Sequence, residues 1–180
     1  EKLFELPADW EWCRLSDSGY SQTGTTPSTQ NKSYYGSYIS FVQPADIKVS
    51  GIIDYDVRKL SESGLDEGRL IKSNSVLMVC IGGSIGKSAV NHHNVSCNQQ
   101  INSLTPLANV ESIFLQNILQ SPYFQLTLWS RASGGTTPIV NKTKWESIAI
   151  PLPPIKEQKE IVKKVDKLFA ICDELETQIT

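Results

Sequence analysis

Cysteine, histidine and methionine are scarce in this chain, at four, two and one of 180 residues. Cys13, Cys80, Cys97 and Cys172 form no Cys-x-x-Cys pair, and three of them have apolar neighbours, where a reduced thiol behaves as a small hydrophobe. A disulfide framework or a zinc site of the usual spacing is therefore not expected. The adjacent His92 and His93 diverge on most backbones, and Cys97 does not complete a ligand set with them. Long apolar runs are also missing: nothing approaches the roughly 20 residues needed to cross a bilayer, which excludes a membrane helix. Glu1 to Leu6 lacks the basic-then-apolar pattern of a secretory signal, so a cytoplasmic location is expected. Catalytic signatures are absent as well. There is no Gly-x-Ser-x-Gly elbow, and the cysteines have no basic surroundings that would lower a thiol pKa. Asp54 and Asp56 read as caps or solvated turn residues rather than an acid/base pair.

What is present is an ordinary globular composition, 39% hydrophobic and 20% charged, which bounds the chain to one main domain with or without an appendage. The net charge of −2 argues at first against a nucleic-acid partner. Its distribution reopens the question. Residues 1 to 68 carry six basic and eleven acidic side chains, whereas 69 to 145 carry Arg69, Lys72, Lys87, Arg131, Lys142 and Lys144 against Glu111 alone. Either a mixed surface has produced this asymmetry by chance, or the second segment forms a basic face.

Leu6 to Trp12 alternates apolar and polar residues after Pro7 and predicts an opening strand. Ser18 to Tyr38 is rich in Gly, Ser, Thr, Gln and Asn, with tyrosines at 34, 35 and 38, and predicts a long ordered loop of the kind that carries binding residues. Ile39 to Val42 predicts a strand, and Tyr55 to Ser63 a short helix stopped by Gly64. The apolar run Val76 to Ile81 predicts a strand buried on both faces, closed by the Gly82-Gly83-Ser84 turn. Val110 to Leu119 has helical apolar spacing, and Ser121-Pro122 starts a second piece with a serine cap and Pro at the first position, giving a bent helix on the sheet. Ser147 to Ile150 predicts a last strand. Pro151-Leu-Pro-Pro154 should end sheet pairing and mark a domain boundary. Beyond it, Ile161, Val165, Leu168, Cys172, Leu175 and Ile179 are spaced 4, 3, 4, 3 and 4, a heptad seam with Lys and Glu opposite. The seam suits a partner helix; Val162 and Phe169 widen it enough to leave packing against its own domain open.

Gly82-Gly83-Ser84-Ile85-Gly86-Lys87-Ser88 follows the buried strand as a nucleotide loop would, but the spacing fails. A glycine is needed at 81, where Ile81 stands, and the polar stretch after Lys87 offers no helix to hold phosphates. Thr23-Gly24-Thr25-Thr26-Pro27 and Gly134-Gly135-Thr136-Thr137-Pro138 recur 111 residues apart. Such turns either bring backbone donors and hydroxyls close to a partner or are tight connections requiring positive φ. Cys97-Asn98-Gln99-Gln100 adds amides that suit adenine edges in a major groove and equally cap loops.

In order, Leu6-Pro7-x-x-Trp10-x-Trp12-x-x-Leu15, Gly24-Thr25-Thr26-Pro27, Gly82-Gly83-Ser84-Ile85-Gly86-Lys87, Asn98-Gln99, Gly134-Gly135-Thr136-Thr137 and Ile150-Pro-Leu-Pro-Pro154-x-x-Glu157-Gln158-x-x-Ile161-Val162 resemble the landmarks of the type I restriction-modification specificity subunit. The last block is the most specific. The resemblance implies two target-recognition domains per subunit, each followed by a long helix, with the helices packed antiparallel and each domain reading one half of a split DNA target. Chemistry would belong to partners: methyltransferase (modification) subunits binding S-adenosylmethionine, and an ATP- and Mg-dependent restriction subunit. This chain, with no Asn-Pro-Pro-Tyr-like motif and no nucleotide loop, would need no cofactor. Its length accommodates one recognition domain and one helix, so it corresponds to a fragment or to a half-length subunit that pairs through its seam.

The expected fold is therefore α+β: a mixed, partly antiparallel sheet recognition domain with packed short helices at 1–150, then a proline hinge and a long coiled-coil-type helix at 151–180. Side-chain chemistry and loop placement nominate Lys87, Arg131, Lys142 and Lys144 for phosphate contacts, and Thr25, Thr26, Tyr34, Tyr35, Gln99, Gln100 and Thr136 for bases or sugars. The rivals are a protein-binding adaptor acting through the heptad helix without reading DNA, and a small nucleotide-dependent transferase using the Gly82 to Ser88 loop.

Overall fold

A computed structural model describes residues 4–179, apart from the side chains at 173, 176, 178 and 179. The chain runs β1 (Glu11–Arg14), a 3-10 turn (Leu15–Ser18), β2 (Gly19–Thr23), a second 3-10 turn (Lys32–Tyr34), β3 (Tyr35–Val42), β4 (Lys59–Leu60) and α1 (Glu62–Glu67). It continues through β5 (Val76–Val79), β6 (Ser88–Val90), β7 (Val95–Cys97), β8 (Ile101–Pro106), α2 (Ser112–Gln120), α3 (Pro122–Ser130), α4 (Lys142–Glu146), β9 (Ala149–Leu152) and α5 (Ile155–Ile179). The result is an α+β fold with mostly antiparallel sheets.

The centre is a four-stranded antiparallel sheet in the order β2-β8-β5-β6. Its strand β5 explains why Val76 to Val79 reads as an unbroken apolar run. Alternate residues of a strand face opposite sides, and here both sides are covered. Val76 and Met78 join one core with Leu15, Leu104, Phe124 and Trp145, while Leu77 and Val79 join another with Val42, Ile71, Val95 and Ile101. The first core lies under the helices; the second lies under a three-stranded sheet, β4-β3-β7, in which β3 and β7 run parallel. α2 and α3 form the expected bent pair, with the Ser121 hydroxyl accepting from Phe124 N–H and Pro122 in the first turn.

Four expectations are corrected. The opening strand sits later than the alternation at Leu6 to Trp12 and shares only Glu11 and Trp12 with it: Trp10 N–H closes a turn onto Pro7 O at 3.0 Å, and pairing begins at Glu11. Ser18 to Tyr38 is not one loop, because β2, a 3-10 turn and the start of β3 lie within it. β2 is an edge strand whose outward side is polar or open, so it carries no apolar run to betray it. The short helix sits later than predicted, with Ser61 capping it and Gly68, not Gly64, ending it. Position 64 lies inside α1, and it is glycine because a Cβ there would overlap Tyr34 O. Pairing also continues through Pro151, opposite Trp12, to Leu152. The ribbon β1-β9 has only two strands, so the proline sits on a free edge where no ladder donor is required.

α5 begins where the Pro153-Pro154 pair predicts, and its first turns are fastened to the sheet domain. Gln158, 1% exposed, accepts from Glu111 N–H at 2.8 Å and donates to Asn109 O at 3.1 Å and Pro153 O at 2.8 Å. Ile161 and Val165 are half-buried, but Leu168 and Phe169 are each 63% exposed, and Cys172 and Leu175 are exposed too. The outer half of the helix therefore does not pack on its own domain. The side chain of Ile179, the last seam position, lies outside the described residues, as does Thr180.

Replacing Gln158 with Leu keeps the volume but orphans three backbone groups. Chemical denaturation should show a loss of about 2–3 kcal/mol, since an unmet buried polar group costs more than a net hydrogen bond gains.

Candidate nucleic-acid interface

Antiparallel pairing gathers the polar loops at one end of the central sheet. β2 ends at Thr23 opposite Asn102, and β5 ends at Val79 opposite Ile101, so the loops at 24–27, 80–87 and 98–100 leave the same edge. The segment 133–139 joins them: Ile81 bridges Ile139, and Gly82 N–H donates to Pro138 O at 2.9 Å. Both Gly-Thr-Thr-Pro stretches, remote in sequence, therefore flank one surface.

The first stretch is held rigidly. Gly24 N–H donates to Ile101 O at 3.0 Å, Thr25 N–H to Cys97 O at 2.9 Å, and the Tyr35 hydroxyl to Pro27 O at 2.7 Å. A Cβ on Gly24 would overlap the carbonyls of Cys97 and Asn98, so close approach, not positive φ, requires glycine there. Beside it, Asn98 is buried and shapes the amide loop: its Oδ1 accepts from Gln100 N–H at 3.1 Å, and its Nδ2 donates to Gln100 Oε1 at 2.9 Å. Gln99 is turned outward, and its Oε1 accepts from the Thr26 hydroxyl at 2.5 Å.

The nominated residues fall into three sets. Thr25, Thr26, Gln99, Gln100, Thr136 and Lys87 lie on the gathered loops, with Thr26, Gln99 and Thr136 exposed. Tyr34 and Tyr35 lie off these loops, where the second 3-10 turn meets β3. Tyr34 O accepts from Ser61 N–H, and Tyr35 spends its hydroxyl on Pro27 while Arg58 stands 5.9 Å over its ring. Arg131, Lys142 and Lys144 line α3 and α4 instead. Arg131 Nη1 donates to Lys144 O and Ser147 Oγ, Lys144 Nζ to Arg131 O, and Lys142 Nζ pairs with Glu146 at 2.9 Å. Burial alone would raise the Glu146 carboxyl pKa, but hydrogen bonds from Ser21 and Lys142 outweigh it and hold it below the ordinary value. Asn98 was visible in the sequence only as part of an amide run; its burial, which makes it the organiser, is a tertiary fact.

The large open groove of about 1490 Å³ lies elsewhere, between the N-terminal segment, β1 and α3, and of the nominated residues it includes only Arg131. Among the described residues no cluster of His, Cys, Asp or Glu is suited to a metal, and no helix is long and apolar enough to cross a membrane.

At one end of the central sheet the chain thus presents rigid loops bearing hydroxyls and amides. The family is settled by comparison: residues 7–180 match the type I restriction modification DNA specificity domain, and the chain belongs to that family. It is 32% identical over 171 residues to the type I restriction enzyme HindI specificity subunit of Haemophilus influenzae, covering 91% of this chain and 36% of that protein. The MjaIX specificity subunit of Methanocaldococcus jannaschii is 26% identical over 160 residues, covering 87% of this chain and 37% of that protein. Among solved structures, the HsdS subunit from Thermoanaerobacter tengcongensis superposes with a TM-score of 0.75 at 21% identity, over 99% of this chain and 42% of its own. A chain from a type I R-M system superposes at 0.79 and 22% identity, over 98% and 42%. These likenesses establish the fold, and the chain spans less than half the length of each of these relatives. The adaptor and nucleotide-transferase readings receive no support from them.

The cysteines give a direct check on the packing behind the loops. Burial pushes the Cys80 thiol up to about 12 and the Cys97 thiol higher still; Cys13 rises to about 11 through burial and then Asp17 and Glu11. Raised values leave these thiols mostly protonated at pH 8, and the thiolate is the reactive form. A thiol reagent at that pH should modify exposed Cys172 first, Cys13 slowly, and Cys80 and Cys97 only in denaturant. Rapid labelling of Cys97 in the native chain would show that the 24–27 and 98–100 loops are not packed as described.

Proposed function

We propose that this chain is a DNA target-recognition module of a type I specificity subunit, reading one half of a split double-stranded target and performing no chemistry itself. The observation that carries this reading is the convergence of the 24–27, 80–87, 98–100 and 133–139 loops on one sheet end in a chain of this family. Thr26 and Gln99 are the foremost candidates for base contact, since they are exposed and mutually fixed. An amide of set orientation presents a donor and an acceptor in defined places, as reading an adenine edge requires. Thr25, Gln100 and Thr136 support the same surface, while Tyr34 and Tyr35 lie off it. Lys87 is the foremost phosphate ligand because it lies on the gathered loops. Arg131, Lys142 and Lys144 add positive charge from the flank, with donors to spare beyond their internal bonds.

Residues 1–150 act as the reader and 151–180 as a proline hinge and spacer helix, whose exposed seam joins a second helix in a coiled coil. That helix comes from a second recognition domain or a second copy of the chain. An antiparallel mate of the same sequence would set the lysine-rich first half (Lys156, Lys159, Lys163, Lys164, Lys167) against the acidic last half (Asp173, Glu174, Glu176). The module works in the cytoplasm with modification and restriction subunits, which supply S-adenosylmethionine, ATP and Mg chemistry.

The deciding experiment is co-purification with a modification subunit and methylation mapping on random DNA with S-adenosylmethionine. A split motif that disappears when this chain is omitted is expected, and a complex that methylates without sequence preference would overturn the reading. Lys87→Ala should weaken binding to all duplexes alike and reduce the log-log salt slope by about one. An unchanged slope would remove Lys87 from the phosphate contacts.

A further inference from the structure

Glycine occupies eleven positions, and the structure supplies an internal reason for nine of them. Gly51, Gly82, Gly86 and Gly134 have φ between 80° and 99°, a region other residues avoid. At Gly19, Gly24, Gly36, Gly64 and Gly68 a Cβ would press on a neighbouring strand, loop or helix. Gly83 and Gly135 have neither reason. Their φ lies outside the left-handed region, and a Cβ on either would meet nothing within 4 Å. Both are exposed, and they stand on two loops tied together by the Gly82 to Pro138 hydrogen bond. The sequence alone left two explanations for these glycine turns. Positive φ accounts for Gly82 and Gly134, but it leaves their immediate successors unexplained.

A glycine costs conformational entropy, and here the fold gives nothing in return. Close approach of another molecule's backbone is the remaining physical use of a missing side chain. The same loops offer matching chemistry: the backbone N–H groups of Gly83, Ser84, Gly135 and Thr136 donate to no other described residue. Successive free amides in a turn favour an anion. Lys87 closes the first loop, and Glu111, the lone acid between 69 and 145, lies past the other end of β8. Asp46, which follows β3 beyond its contact with Asn98, is buried, and its Oδ2 is occupied by Gln43 N–H.

We propose that Gly83 and Gly135 form a side-chain-free platform on which a DNA phosphodiester rests against backbone amides, setting the depth at which the neighbouring Thr26 and Gln99 meet the bases. This rests on the DNA-reading function proposed above and assigns the contact to the backbone of two particular residues. Because the contact is made by neutral amides, it differs from a lysine contact in its salt dependence: removing it costs affinity without altering the number of counterions released.

The test is binding of a labelled mixed-sequence duplex to the full chain over a salt series, with thermal denaturation of each variant alongside. Gly83→Ala and Gly135→Ala should keep or slightly raise Tm, because alanine restricts the unfolded chain at a conformation it tolerates. Each should weaken binding about fivefold or more at every salt concentration with an unchanged slope, in contrast to Lys87→Ala. The bulkier Gly83→Val and Gly135→Val should weaken it further. Unchanged affinity with Tm retained would overturn the proposal and leave the two glycines to a protein contact. A marked fall in Tm would overturn it by giving them a structural role. Failure of the unsubstituted chain to bind duplex would sink the DNA reading and this inference together, whereas loss of the slope in the glycine variants would assign the contact to charge instead.

Discussion

The register between β2 and β8 governs the geometry of the loop surface. Thr23 faces Asn102 across that pair, and a 2.8 Å hydrogen bond between their side chains marks the last rung before both chains turn away. From there Gly24 and Thr25 donate to Ile101 O and Cys97 O, which leaves Thr26 beside Gln99. A slip of one residue would reverse every side chain of β2 and move the threonine off the amide. The register is well specified because β8 is pinned on its other side by β5 and because Ile101 to Leu104 is buried. The exposed loop surface thus depends on a strand, β8, that is buried between its neighbours.

That dependence gives the loops their rigidity. Asn98 is buried and fully engaged with Gln100, and Tyr35 holds Pro27, so the ordering entropy of these loops is met during folding rather than on binding. One residue along, Gln99 is free to face a partner. Adjacent amides in one short run are therefore placed oppositely, the inner one making the loop and the outer one facing outward.

This division also explains what was legible beforehand. Elements whose burial is continuous or helical announced themselves: β5 by four consecutive apolar residues, α2 and α3 by spacing and the Ser121-Pro122 start, α5 by its proline pair and seam. β2 did not, since an edge strand needs no apolar run, and the Gly64 signal misled because steric contact with Tyr34 produces the same residue as a helix stop. The loop surface was legible residue by residue but not as a surface. Nothing in one sequence places Thr26 beside Gln99 or joins Gly82 to Pro138, because those distances follow from strand order. The charge asymmetry was similarly half-informative. It located the cations, but Arg131 and Lys144 are tied to backbone carbonyls and Lys142 to Glu146, partners that sequence cannot assign.

For the spacer role proposed above, the mounting of α5 is decisive. A helix on a flexible tether would hold its partner at a distribution of distances, and two half-sites on DNA are a fixed number of base pairs apart. Here the ribbon β1-β9 delivers the chain through Pro151 and Leu152, and Gln158 binds the helix base to the Asn109–Glu111 segment at the start of α2. The helix axis is thereby referred to the sheet whose far end bears the loops. Since α2 packs on β5 and β6, the path from spacer to loops runs through secondary structure and buried contacts. On the proposed reading, the target's spacing is set by helix length and this rigid base, and its bases are set by loop tips. The two can then change independently: substitutions at Thr26 or Gln99 would alter what is read without moving where the second reader sits.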